Sequence, residues 1–327
     1  MAPASRSPLP GLIAAWRVRQ GELPDELEPL EVVAALAAGE SGLWLHLNLA
    51  EQRVRELLVR LPIPPLARRT LLEADDAPHL DAADGAIYGG VADFRLDSAA
   101  GGIPETGLLY AVLTADLLVT AQQCPLHTVH AVSHAPAGET PAELFAYLLH
   151  RIAGATGQAI QSLSVQLSRI EDSLLKTGGT QADRQALAAL RRTTLRLERV
   201  FAPTAETLSL WADAPIGTLA DPFCAPVLRE ERWEGSVRRG LVALQERARI
   251  AQDELAGLAA EETNRRLFVL SVISAAMLPA TLITGVFGMN VGAVPGVDRD
   301  WGFPMAMCLV VGSILAILAA LRFGKLL

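Results

Sequence analysis

Residues 267–290 read LFVLSVISAAMLPATLITGVFGMN, and thirteen residues after Asn290 a second apolar run begins, FPMAMCLVVGSILAILAAL over residues 303–321. Neither residues 267–287 nor residues 303–321 include a charged side chain. As a helix rising about 1.5 Å per residue, the first run reaches roughly 31 Å, enough to cross a bilayer core. A buried hairpin of a soluble protein is usually shorter or shows one polar face. Two transmembrane helices, at 267–289 and 303–321, are therefore expected, joined by a short external loop over 290–302.

The flanks set an orientation. Arg265 and Arg266 precede the first run, Arg322 and Lys325 follow the second, and the loop holds Arg299 between Asp298 and Asp300. Positive residues are retained on the cytoplasmic side, which predicts cytoplasmic N- and C-termini and a basic tail at 322–327. Trp301 and Phe303 fall where rings settle at an interface, and Pro304 suits a first helical turn. Residues 11–16 are too short an apolar stretch for a secretory signal, so residues 1–266 are expected to be cytoplasmic.

Setting aside Arg299, Arg322 and Lys325 from the 28 basic residues, and Asp298 and Asp300 from the 36 acidic ones, leaves 25 against 34 ahead of the spans. That acidic balance argues against nucleic acid as a partner and fits a surface that draws cations. Cys124, Cys224 and Cys308 are far apart and imply no disulfide framework. No glycine-rich loop ending in Lys-Ser or Lys-Thr is present, which argues against nucleotide as a partner and against ATP-driven pumping. No nucleophile with a nearby base and no paired carboxylates form a recognisable catalytic motif, so the chain does not read as an enzyme.

Residues 1–140 read as a mixed α/β domain. Strands are expected over 43–49 and 86–94, and over 108–119 with a hairpin bend near Ala115-Asp116. Helices are expected over 51–60 and 65–74, with a turn at 97–102. Residues 141–225 read as an antiparallel helical pair: Thr140 and Glu143 form a capping box, the first helix runs to about Lys176, and its partner spans 181–211. From Pro226 an uninterrupted helix of about 93 Å is expected to run to Phe287 through a funnel segment, 226–266. Val237, Leu241, Leu244, Ala248, Ala251, Leu255 and Leu258 recur at three- and four-residue steps, a seam for packing on the two preceding helices.

The first span carries a second stripe: Ser271, Ser274, Leu278, Thr281, Gly285 and Gly288. Several copies in a ring, each turning this stripe inward, could line a narrow passage with every backbone group bonded within its helix. Equally, small residues allow close packing in a dimer. Asn290 favours the passage, because a ring of amide side chains suits the water shell of a cation. Gly288 and Gly292 beside it allow a sharp turn. A protein merely tethered by two spans has no use for either feature.

The layout, with Gly288-Met289-Asn290 closing the first of two C-terminal spans, resembles the CorA superfamily of metal-ion transporters. The run LPATLITGVFGMNVGAVPG over residues 278–296 is similar to its zinc transporter branch, ZntB. The resemblance implies a homopentameric funnel built on an α/β sandwich around a mixed sheet, in a bacterial inner membrane. The second spans would face lipid. Gly288, Met289 and Asn290 would form an entrance filter, with Thr281, Leu278, Ser274, Leu270 and Leu267 facing the pore. Divalent cations, in this branch zinc, would be the transported substrate rather than a cofactor, with proton coupling a feature suggested for this branch; a magnesium or cobalt channel is the alternative. The pore offers only hydroxyl, amide and backbone oxygens, whereas zinc prefers nitrogen and sulfur. Candidate titratable groups on the path are Asp253, Asp298 and Asp300.

Cys124, His127, His130 and His134 crowd into eleven residues. They could bind zinc, with Asp253 a further candidate ligand elsewhere, or they could be a solvated helix face beside a small core cysteine. His46, His79 and His150 read as isolated structural or surface residues.

Overall fold

The computed structural model describes residues 9–19, 24–96, 105–130, 140–215, 217–289 and 301–323. It divides into two units, residues 1–252 and residues 253–327. The expected turn at 97–102 lies outside the described residues, as do Asn290, Gly292, Asp298, Arg299, Asp300, His134 and Lys325.

The first unit opens with β1 (Leu12–Arg17), β2 (Asp25–Glu26), α1 (Pro29–Ala38), β3 (Leu43–Asn48), α2 (Val54–Arg60) and α3 (Pro65–Glu73). It continues through β4 (His79–Ala83), β5 (Ala86–Phe94), β6 (Thr106–Leu113), β7 (Leu117–Gln122) and α4 (His127–His130). The helices α5 (Pro141–Thr177), α6 (Gln181–Asp213) and α7 (Ala225–Arg229) follow, with two 3-10 turns between α6 and α7. Next comes α8 (Glu231–Phe287), which runs on into the second unit.

The strands form one mixed sheet in the order β2-β1-β3-β7-β6-β5-β4. Only β3 and β7 pair in parallel; every other neighbour is antiparallel. The bend expected at Ala115-Asp116 is the β6–β7 hairpin, tied by the Leu117 N–H to Thr114 Oγ1 at 3.1 Å. The β4–β5 hairpin turns at Asp84 and Gly85, both at positive φ, the geometry that an Asp-Gly pair favours.

All nine residues of β5 are buried, because helices cover both faces of the sheet. On one face Val32 of α1, Leu57 and Leu58 of α2 and Leu71 of α3 share a core with Leu43, Leu45 and Val112. On the other, α5 contacts β5, β6 and β7, and α6 contacts β4 and β5; the Phe94 and Phe201 rings meet there at 5.3 Å.

The long helices follow their caps. The Thr140 hydroxyl accepts from the Glu143 N–H at 3.2 Å, starting α5. Gly178 at φ 72 ends it, and the Thr180/Asp183 capping box starts α6. The seam on α8 is buried at Val237, Leu241, Leu244, Ala248 and Ala251, each fully buried leucine contributing about 2 kcal/mol. Register against α5 is set by Arg247 with Ser164, Ser168 and Glu171, and against α6 by Gln245 with Glu198.

The helix expected to be unbroken from Pro226 is interrupted at Glu230. There the chain tightens: Glu230 N–H bonds Val227 O at 3.1 Å and Trp233 N–H bonds Glu230 O at 3.0 Å. These three-residue steps tighten the turn, while the Glu234 N–H keeps a four-residue bond to Glu230 O at 3.1 Å.

The second unit holds the rest of α8 and α9 (Gly302–Phe323). Both helices are long and apolar enough to cross a membrane, and their apolar windows are not buried. Helicity runs through Pro279.

Candidate functional site

The small and polar stripe of α8 gathers as geometry requires of residues three and four apart on a helix. Ser274, Leu278, Thr281 and Gly285 lie along one open groove of about 700 Å³, completed by Met277, Leu282, Val286 and Met289, whereas Ser271 and Gly288 of the expected stripe are not among its lining residues. The hydroxyl protons are spent within the helix: Ser274 Oγ donates to Leu270 O at 2.9 Å and Thr281 Oγ1 to Met277 O at 2.9 Å. Each hydroxyl oxygen keeps its lone pairs free, so the groove presents acceptors rather than donors. That is the polarity a cation or its water shell needs.

Gly285 leaves a notch, since a Cβ there would meet nothing within 4 Å. Gly288 follows the helix with its N–H on Thr284 O at 2.9 Å. Met289, Leu278, Leu270 and Leu267 are all more than half exposed. Such a run of exposed apolar side chains on a helix of this length needs lipid or further copies of the chain to cover it.

The second expected cluster falls only partly within the described residues. Among the described residues, no group of three or more His, Cys, Asp or Glu side chains is placed to hold a metal ion. Cys124 is half-buried after β7, His127 is exposed at the start of α4, and Asp253 is exposed on α8. His130 closes α4, and His134 lies outside the described residues. The start of α4 is organised instead by Asp93. This buried carboxylate accepts from the Thr128 N–H at 3.0 Å and the Thr128 hydroxyl at 2.9 Å. Burial raises its pKa, and the Thr128 bonds hold the rise back.

Two polar groups in the first unit escape sequence reading. His46 is buried in the sheet with Nδ1 2.9 Å from Thr120 Oγ1, which also accepts from Trp44 Nε1 at 2.8 Å. Nor is His150 isolated, as its sequence context suggested: its Nδ1 lies 3.2 Å from Glu230 Oε2 at the α7–α8 break. These partners are 74 and 80 residues apart in sequence, and no local pattern announces them.

The family model described as CorA-like Mg2+ transporter protein matches residues 39–325. The chain belongs to this family. Its members are transporters and not enzymes. The zinc transport protein ZntB of Yersinia enterocolitica is 26% identical over 305 residues, covering 89% of this chain and 90% of the relative. The divalent cation transporter CmaX of Pseudomonas aeruginosa is 27% identical over 182 residues, a match spanning 54% of this chain and 53% of CmaX. In structure, full-length CmaX aligns with a TM-score of 0.75 at 22% identity, covering 97% of this chain and 99% of the other. The CorA magnesium transporter of Methanocaldococcus jannaschii aligns with a TM-score of 0.70 at 15% identity, over 94% and 96% of the two chains. The chain thus has a CorA-like fold: a soluble α/β part, long helices and two C-terminal apolar helices.

Proposed function

We propose that this CorA-family divalent-cation transporter conducts zinc as a homopentamer, with the α8 grooves of five copies facing a common axis. The observation that carries the reading is the groove itself. An uncharged span long enough to cross a bilayer exposes aligned hydroxyl acceptors and a glycine notch that a lone helix does not need. Gly288, Met289 and Asn290 form the entrance filter, and Thr281, Leu278, Ser274, Leu270 and Leu267 line the passage. The second helix faces lipid. Arg265, Arg266, Arg322 and Lys325 support an inner-membrane orientation with both termini in the cytoplasm.

Zinc rests on the ZntB relatives, which match over most of the chain. The lining itself is oxygen chemistry and suits a hydrated or partly hydrated ion, so magnesium is the second reading. Flux of zinc, magnesium, cobalt and nickel into proteoliposomes, with pH and voltage set independently, separates the two and reveals any proton coupling.

The deciding experiment is Asn290→Ala. Metal uptake should be lost while the oligomer still assembles; uptake at the wild-type rate removes the filter assignment. A monomer in native lipid would remove the pore altogether.

A further inference from the structure

The head of α8 carries two acids one turn apart, Glu230 at the break and Glu234 beyond it. Glu234 is 1% exposed and its Oε1 has no hydrogen-bond partner. It holds the place in the three- and four-residue seam just ahead of Val237 and Leu241, where an apolar side chain is expected. Its backbone is in order, with the N–H on Glu230 O at 3.1 Å. The side chain is therefore buried by design of the helix position, without the partners that a buried carboxylate requires.

Water reaches the neighbouring acid. A cleft of about 630 Å³ is lined by Arg229, Glu230, Glu231, Arg232 and Trp233 among others. Glu230 Oε2 pairs across the helices with His150 Nδ1 on α5, and the His150 ring meets Trp233 edge-on at 4.7 Å. Charged and titratable groups around this head of α8 include His150 of α5, Glu206 of α6, Arg229 of α7, Glu230 at the break, and Glu231, Arg232, Arg238 and Arg239 of α8. Arg238 is turned to Glu206 at 3.6 Å. Among the described residues, no Lys, Arg or His forms an ion pair with Glu234. Burial raises its pKa to about 8, and the nearby Glu230 charge adds to the rise.

We propose that Glu234 is a proton-operated latch: protonated, it seats the head of α8 on α5; deprotonated, it draws that head open at the Glu230 break. A neutral carboxyl is tolerated in the seam, whereas a carboxylate is not, and it lowers its energy by reaching water past Glu230 and His150. The tightened turn at Glu230 supplies the joint, because the helix there is already interrupted. The sign follows: with the folded pKa above the ordinary 4.5, the closed state is favoured in acid and weakens as pH rises through about 8. The latch needs only the first unit. Any effect on ion flux rests in addition on the pore reading.

Hydrogen exchange of the full chain in detergent between pH 6 and 9.5, corrected for the intrinsic pH dependence of exchange, tests it. Peptides covering residues 225–240 should lose protection by roughly tenfold or more across the step, while β5 peptides hold theirs. Glu234→Gln, which keeps the shape without the proton, should stay protected throughout. Glu230→Gln removes the neighbouring charge and should move the step to lower pH. A flat wild-type profile, or a wild-type step that Glu234→Gln retains or that Glu230→Gln leaves in place, overturns the latch. If the glutamine variants do not fold, infrared spectra of wild type decide. A protonated-carboxyl band lost between pH 6 and 9.5 supports the latch, and no such band overturns it. Loss of the exchange step refutes the latch alone, whereas loss of flux in Asn290→Ala bears on the pore alone.

Discussion

Arg247 on α8 donates to Glu171 Oε2 on α5 at 2.7 Å, while the same guanidinium reaches Ser164 Oγ at 3.0 Å and Ser168 Oγ at 3.2 Å. One planar group thereby sets the register of two helices whose apolar seam would tolerate a slip. The pair is about one-third to two-fifths exposed, so solvent screens it and its worth lies mainly in geometry.

Arg247→Ala is therefore expected to cost about 1 kcal/mol, lowering the melting temperature of the detergent-solubilised chain by roughly 2–4 °C. Arg247→Lys should recover only part of that, since a lysine cannot span all three acceptors. Thermal melts of the three proteins check both statements.

Gly89 sits in the buried strand β5 at φ 151, and a Cβ there would lie 2.0 Å from the His79 carbonyl oxygen on β4. Backbone cannot yield as a flexible side chain can. Gly89→Ala should therefore separate β4 from β5 and cost about 3 kcal/mol or more, read as a lowered denaturation midpoint. A midpoint matching wild type would contradict the packing described for this hairpin.

Burial lowers the His46 pKa from the ordinary 6.5 to about 4. Between those values the unfolded chain takes up a proton that the folded chain refuses. The His46 contribution to stability is thus present above about pH 6.5 and is lost as pH falls towards 4, on the order of 3 kcal/mol in all. In His46→Gln this part of the acid sensitivity should vanish, measured as the slope of unfolding free energy against pH.

Within the proposed pore, Ser274→Leu and Thr281→Leu fill the groove and remove its acceptors. Each should slow metal flux into proteoliposomes by about tenfold or more. Val272→Leu, on the opposite side of α8 from the groove, should leave flux within about twofold. Equal losses at all three positions would mean that the groove is not the path.

Much of the architecture was legible in residue order because local signals agreed. The run 86–94 was read as a strand and is β5, residue for residue. The boundaries of α5 and α6 were announced by Thr140, Gly178 and Thr180, which satisfy helix-end groups within a few residues of themselves. The groove residues Ser274, Leu278, Thr281 and Gly285 were found by helical periodicity alone. The strands β1 and β4 were missed: β1 was weighed only as a signal segment, and β4 mixes polar and small residues at the end of the sheet. The Asp84-Gly85 turn signal next to β4 would have revealed it.

By itself, the sequence determined the two apolar helices, the stripe on the first and the pattern of caps, because each depends on contacts within about four residues. Tertiary structure alone decided the sheet order, the burial of His46 against Thr120, the break at Glu230 and the exposure of Glu234 to no partner. Those depend on which distant segments meet, and burial changes the energy of a polar group only once its neighbours are in place.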